Sequence, residues 1–577
     1  MKTFFGSIYH VLASSNTVQQ LWCIGLLVVL LILAVLHHKW KGDKKKIRIW
    51  RFLCLLPLVI CVVHFFIYVF GFLGFATRFI LLYAISVFAL IPIFFANRKI
   101  GYRISATLAG ILIILCSLYF VRSAPNNHNF VHKSYTASFH ALVKTLDKEY
   151  ILKEWKEVDF NALEEKYMPL VQEAEAEQNP QKFGDAVNRF CSEIYDAHIG
   201  VMCNYDRGNF KTVNMPHEYG LSTVRIDSGE IIAICTSAKV NELGIKDGTV
   251  ITKWDGKKVE EAAQEVIDMG IASQPVKENT DVLAVFNLSH VGGEKIEVSF
   301  LDEKGYEKTV TLTDLGKYET TTKALSLFSR MPIMESREDT EAFEENNFST
   351  KMLNYKCGYL QIIAESTDND FHDRLGYLTG NHKWAREMFR EKLRDLKKQG
   401  MEYLVIDIRG NMGGFDEIAC ALCDLFATED KFALGLGIRR DGNYINVSEH
   451  NIHADGEFAD IPVVVLTNFA CASAGDGLAL YLSKLPNVTV AGITDPCGIN
   501  QETGGCCILS DDLVRVTYPT GLVLDENGEP NIDTRADRIS RNPVDVRIPF
   551  DSDAAMKIFR DNVDYELEWA IDYIEKN

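Results

Sequence analysis

From Cys357 onward the chain alternates short, almost wholly apolar runs with amphipathic ones: GYLQIIAES, WAREMFREKLRDLKKQG, YLVIDIR, EIACALCDLFA, VVVLT, GLALYLSKL and VTVAGI. An apolar run without polar alternation has no face to show to water. Each such run therefore reads as a strand of a sheet covered on both sides, with helices between the strands. In sheets of that kind reacting groups collect at the carboxyl ends of the strands.

Two of those strand ends are chemically unusual. IDIRGNMGG closes on Asp407–Gly414, and its glycines let backbone N–H groups face a ligand with no Cβ in the way. An ordinary tight turn would look the same. It is not a Walker loop, since no GK[ST] follows, and not GxGxxG. The second, NFACASAGDGLAL, follows IPVVVLT and sets Ser473 among Ala472, Ala474 and Gly475 at a strand-to-helix turn. A serine there exposes its hydroxyl, and the N–H groups that follow open a helix whose start favours negative charge. A plain N-cap serine has similar surroundings.

Upstream, residues 134–205 carry apolar residues at helical spacing between many Glu and Lys, as in FHALVKTLDKEYI and FGDAVNRFCSEIY, and end in DAHIGVMCNYD. Residues 216–316 alternate instead. YGLSTVRIDSGEIIAICTSAK reads as paired strands, NELGIKDGTVITKWDGKKVEEAAQEVI as turn, strand, DG turn and helix, and GEKIEVSFLDEKGYEKTVTL as a hairpin. The first 124 residues hold four apolar stretches, Leu21–Leu36, Phe52–Phe75, Phe79–Ala96 and Ile104–Val121. Each approaches the roughly 20 residues of a bilayer-crossing helix. The loops His38–Arg51 and Asn97–Arg103 hold seven and three Lys/Arg. The positive-inside tendency places both in the cytoplasm and everything after about Arg122 outside. The expectation is a four-helix anchor in the cell membrane with an extracytoplasmic body.

The formal charge of −18 hides +12 over residues 1–124 and −30 over the rest. Such an acidic body repels phosphate backbones, which argues against nucleic-acid binding. The fourteen cysteines form no paired CxxC framework, and Cys420 and Cys423 fall within one helical run, so no metal is implied.

Taken together, IDIRGNMGG, NFACASAGD and GITDPCGINQETGG resemble the peptidase core of the tail-specific (C-terminal processing) and tricorn serine protease family. That family carries Asp-x-Arg-x-Asn-x-Gly-Gly, then Asn-x-x-(Ser/Thr)-x-Ser-Ala-x-Glu, then Gly-x-x-Thr-x-Gly. Here Asn468, Ser473, Ala474 and Asp476 fit the second phrase, with Asp in place of Glu. GIKDGTVITKWDGKKV resembles a PDZ domain, a module that adds a peptide to a sheet edge, with Thr249 where Asp is usual. The resemblance covers about 134–550. The implied fold is multidomain: four transmembrane α-helices (1–124), a helical domain (134–205), a PDZ-like β domain (216–316), an α/β core of the ClpP/crotonase-like tail-specific protease type (317–550), and a C-terminal helix (551–577).

The resemblance also implies roles. Ser473 is the nucleophile, and the oxyanion donors are the N–H of Ala474 and one from Gly413 or Gly414. The C-terminal processing branch draws its base from a lysine about 25 residues after the serine, where this chain has Gly498. The tricorn-like branch draws it from a histidine at the exit of the helical domain, which His198 matches, although Ala197 replaces the serine before it. Counting back from Pro543 gives Asp537 as the acid, with Asp533 as the alternative. The implied protein is a serine endopeptidase acting on proteins or peptides without a cofactor, and homo-oligomers are compatible with the family. The rival readings are a non-catalytic ligand-binding protein on the same fold, a membrane sensor, and a lysine dyad using a displaced lysine such as Lys484.

Overall fold

Along Tyr403–Asp407 every residue is buried, and the side chains alternate between two cores. Tyr403 and Val405 join one apolar cluster, Leu404 and Ile406 another. Successive side chains of a strand point to opposite faces, so a strand of this composition needs cover on both. The surrounding sheet provides it.

The computed structural model describes residues 28–29, 32–33, 35–40, 42–53, 127–204, 217–316, 319–331, 347–367, 372–373, 376, 380–440 and 443–577. The central sheet has six strands: β1 (Phe348–Met352), β2 (Cys357–Ile362), β3 (Tyr403–Asp407), β4 (Val463–Leu466), β5 (Val488–Gly492) and β6 (Val546–Arg547). They lie side by side in chain order. β1 runs antiparallel to β2, and every later pairing is parallel. Three helices belong to the crossovers: α1 (Lys383–Lys398), α2 (Asp416–Asp424) and α3 (Ala474–Ser483). Their apolar residues, among them Phe389, Leu393, Leu422 and Leu478, share a cluster with Leu404 and Ile406. The opposite cluster joins Val405, Val464 and Ala491 to Leu221, Val285, Phe328, Phe550 and Phe559, so that face is covered by residues 219–328 and the C-terminal helices.

The chain divides into two units, Met1–Val131 with Gly504–Leu509, and His132–Thr503 with Ser510–Asn577. In the larger, helices at Tyr135–Glu149, Phe160–Ala176 and Pro180–Ser192 begin at Ser134, Asp159 and Asn179, whose side chains accept the first free N–H groups. Each such cap is worth about 1 kcal/mol. Strands Ser222–Arg225 and Ile231–Ile234 pair antiparallel, and Lys295–Leu301 pairs with Glu307–Thr313 as a hairpin. A further hairpin, Lys431–Arg440 with Asn443–Ile452, was not anticipated.

In the smaller unit Asn127–Phe130 pairs in parallel with Cys506–Leu509. The helix Lys44–Leu53 carries Trp50, whose Nε1 donates to the Leu33 carbonyl at 2.7 Å. Here the expectation from sequence is corrected. Among the described residues no helix is long and apolar enough to cross a membrane, and the four-helix transmembrane anchor is not supported. Lys44–Leu53 has ten residues, about 15 Å of helix, and half of them are Lys or Arg. Phe79–Ala96, Ile104–Val121, most of Phe52–Phe75 and part of Leu21–Leu36 lie outside the described residues.

Candidate active site

The turns after β3 and β4 are adjacent. Ala472 N–H donates to the Asn411 carbonyl at 2.8 Å, and Asn468 Oδ1 accepts from Gly410 N–H at 3.1 Å. Asn468 Nδ2 donates to the Ser329 carbonyl at 3.0 Å, so one buried amide fastens both turns to the chain beneath them. Gly413 has φ +89°, and a Cβ there would lie 2.5 Å from Ser473 Cβ and 2.9 Å from Ala474 N. A side chain and this approach exclude each other. Ser473 itself has φ 58° and ψ −129°, an unusual conformation for a residue with a Cβ. Its N–H donates to the Ile499 carbonyl at 3.0 Å and its carbonyl accepts from Gly477 N–H at 2.9 Å, which holds the strained turn.

Two backbone donors are left over. Gly413 N–H is taken by Asn411 Oδ1 at 2.7 Å. The N–H groups of Gly414 and Ala474 make no hydrogen bond among the described residues. Asn411 is itself oriented by Glu365, whose Oε1 accepts from Asn411 Nδ2 at 2.7 Å. Burial pushes the Glu365 carboxyl up to about 8, the Asn411 bond opposing it. Asp476, in the first turn of α3, fixes the neighbouring segment: its Oδ2 accepts from Gly498 and Ile499 N–H at 2.6 and 3.1 Å, and its Oδ1 from Asn542 at 2.7 Å. Burial raises it to about 7 against those donors.

His198 lies on the turn after the helical segment, where its N–H donates to Asp196 Oδ1 at 2.9 Å. Asp196 Oδ2 accepts from Tyr150 OH at 2.6 Å. Burial lowers the imidazole's pKa, with Asp196 opposing and Lys156 adding to the shift, so the ring favours its neutral, proton-accepting form. Its Nδ1 is buried with no partner, and no hydrogen bond joins His198 to Ser473 among the described residues. The two candidate acids differ sharply. Asp537 is exposed, its Oδ1 accepting from Ile539 N–H at 3.1 Å. Asp533 is wholly buried, its Oδ2 accepting from Asn500 N–H at 3.2 Å and from Gln501 Nε2, while Oδ1 has no partner. Burial, and after it the charge of Asp196, raises Asp533.

Lys484 is remote from this arrangement. Ser473 and Lys484 cap opposite ends of the ten-residue α3, about 15 Å apart along its axis. The sequence reading missed Lys156, Glu365 and Gln501. Lys156 stands in LKEWKEVD, where a lysine looks solvated, and only the adjacent Trp155 marks a buried turn.

These buried carboxyls set a pH dependence of stability. Glu365 and Asp476 titrate near about 8 and about 7 when folded, against about 4 in an unfolded chain. Between those limits the folded state binds more protons, so stability declines as pH rises. Urea unfolding followed by Trp fluorescence is expected to give a lower midpoint at pH 8 than at pH 5. An equal or higher midpoint at pH 8 would contradict the assigned shifts.

Residues 357–535 match the sequence profile of Peptidase family S41. The matched segment is thus of the serine-type peptidase class. Carboxy-terminal processing protease CtpB of Bacillus subtilis (strain 168) is 29% identical over 179 residues, 29% of this chain and 35% of CtpB. CtpA of the same organism is 28% identical over 134 residues, 23% of this chain and 27% of CtpA. The chain thus matches about a third of the length of these relatives. Mature CPAF has a similar fold, with a TM-score of 0.51 over 78% of this chain and 98% of that one, at 14% identity.

Proposed function

We propose that the protein is a serine endopeptidase whose nucleophile is Ser473. The observation that carries the reading is the seating of Gly413 against Ser473, with the N–H groups of Gly414 and Ala474 unspent beside it. Ser473 Oγ attacks the carbonyl carbon of a protein or peptide substrate. His198 takes the hydroxyl proton and returns it to the leaving amine. Gly414 and Ala474 hold the oxyanion, each such donor being worth about 3 kcal/mol in the transition state. Asp533 is the favoured acid over Asp537, because it is buried where Asp537 is exposed, and the Lys156 charge and the Gln501 and Asn500 donors oppose the loss of its own charge. Apo peptidases often carry the serine–histidine bond long and tighten it on binding substrate.

We also propose that this part works outside the cytoplasm, supported by the Lys/Arg-rich segments His38–Arg51 and Asn97–Arg103 that precede it. One experiment tests both proposals. A membrane-impermeant fluorophosphonate probe is expected to label intact cells making the wild-type chain and not those making Ser473→Ala. Ser473-dependent labelling in lysate alone would refute the location and keep the peptidase. No such labelling in either sample would refute the peptidase and favour a ligand-binding protein on the same fold.

A further inference from the structure

The loop that follows the first helix of the larger unit runs Ile151-Leu152-Lys153-Glu154-Trp155-Lys156 and touches two segments far away in sequence. Trp155 Nε1 donates to the Asp533 carbonyl at 2.8 Å. Lys156 Nζ donates to the Tyr195 carbonyl and to Thr534 Oγ1, each at 3.1 Å. Lysine is seldom fully buried without a partner, yet Lys156 is only 7% exposed. Its two acceptors lie three residues before His198 and one residue after Asp533.

We propose that Lys156 is a positioning residue for the peptidase centre, its buried ammonium pinning the turn that bears His198 to the segment that bears Asp533. The inference rests on the serine-peptidase reading above. Lys156 does not touch the reacting atoms. It acts through the two segments that it joins, and through its charge. The groups facing it are Asp196, Asp533, Arg538, Cys497 and the His198 ring. Burial lowers the lysine's own pKa while Asp196 and Asp533 oppose that shift. With the ammonium in place, two carboxylates lie close together without mutual repulsion dominating, and a second positive charge on His198 is disfavoured. The second effect keeps the imidazole neutral, against the pull of Asp196.

The charge distinguishes positioning from mere packing. Removing it leaves Asp196 unopposed beside His198, which favours imidazolium. The acidic limb of any reaction that needs the neutral ring then moves to higher pH. The test is the rate of fluorophosphonate labelling across pH 5–9 for the full-length wild type, Lys156→Met and Lys156→Arg, with thermal melts checking the fold. In Lys156→Met labelling is expected to slow about tenfold or more at neutral pH, with its acidic limb displaced upward by about one pH unit. Lys156→Arg is expected to bring the limb back. Lys156→Gln, which keeps hydrogen bonding without charge, gives the same reading if the methionine form melts early. A limb that stays at its wild-type pH, with or without a uniform loss of rate, overturns the proposal and leaves Ser473 as nucleophile. Wild-type labelling that does not depend on Ser473 overturns the peptidase reading itself, and this inference with it.

Discussion

Gly413→Ala is expected to slow reaction at Ser473 by on the order of a hundredfold to a thousandfold, the loss produced by removing an oxyanion donor. The added methyl would sit 2.5 Å from Ser473 Cβ and 2.8 Å from the Ala472 carbonyl oxygen, so one of the two turns must retreat. Retreat of either turn separates Gly414 N–H from Ala474 N–H, and a carbonyl oxygen can then reach only one of them. The φ of +89° adds backbone strain to any residue with a side chain. Gly229→Ala is the control: its φ is +86°, but a Cβ there meets nothing within 4 Å. It shares the strain and lacks the collision. Fluorophosphonate labelling rates for both variants decide the matter. A Gly413→Ala protein that labels as fast as Gly229→Ala would mean the two turns do not cooperate.

The second large effect concerns stability. Arg409 is almost wholly buried, and its guanidinium donates to Asp407, Asp564 and Glu566, at 2.6 Å, 2.7 Å and 3.0 Å for the nearest contacts. Asp407 ends strand β3 and Glu566 lies in the C-terminal helix Tyr565–Lys576, so this one side chain ties the helix to the central sheet. Arg409→Met would take the guanidinium contact from the buried carboxylates Asp407 and Glu566, while Asp564 keeps Arg330 at 3.2 Å. The expected cost is about 3–5 kcal/mol, read as a fall in the urea midpoint. A loss no larger than that for an exposed arginine such as Arg560 would show that water reaches these carboxylates.

How much of this was legible in the sequence depended on what carried the signal. The central sheet was readable because burial on both faces forces continuous apolar runs, as in YLVID and VVVL. The two turns were readable because a close approach demands glycine and alanine around Ser473. The hairpin Lys431–Arg440 with Asn443–Ile452 went unread, although DG in RRDGN is a turn signal between alternating runs. The transmembrane expectation failed for a different reason. Apolar runs and basic loops set it, but among the described residues no helix is long and apolar enough to cross a membrane, and the described helix Lys44–Leu53 falls largely in the basic loop His38–Arg51. Asp533 and Asp537 could not be separated by counting. Which of two nearby acids is buried depends on Asn500, Gln501 and Trp155, which come from two remote parts of the chain.

The strand pair in the smaller unit has a bearing on biosynthesis. Asn127–Phe130 is paired with Cys506–Leu509, so the earlier strand leaves the ribosome long before its neighbour exists. That ladder cannot close until its partner strand, Cys506–Leu509, has also been made, whereas the helices at Tyr135–Ser192 can form as they emerge. Until then the waiting strand is an open edge, and shielding it falls to whatever attends the nascent chain.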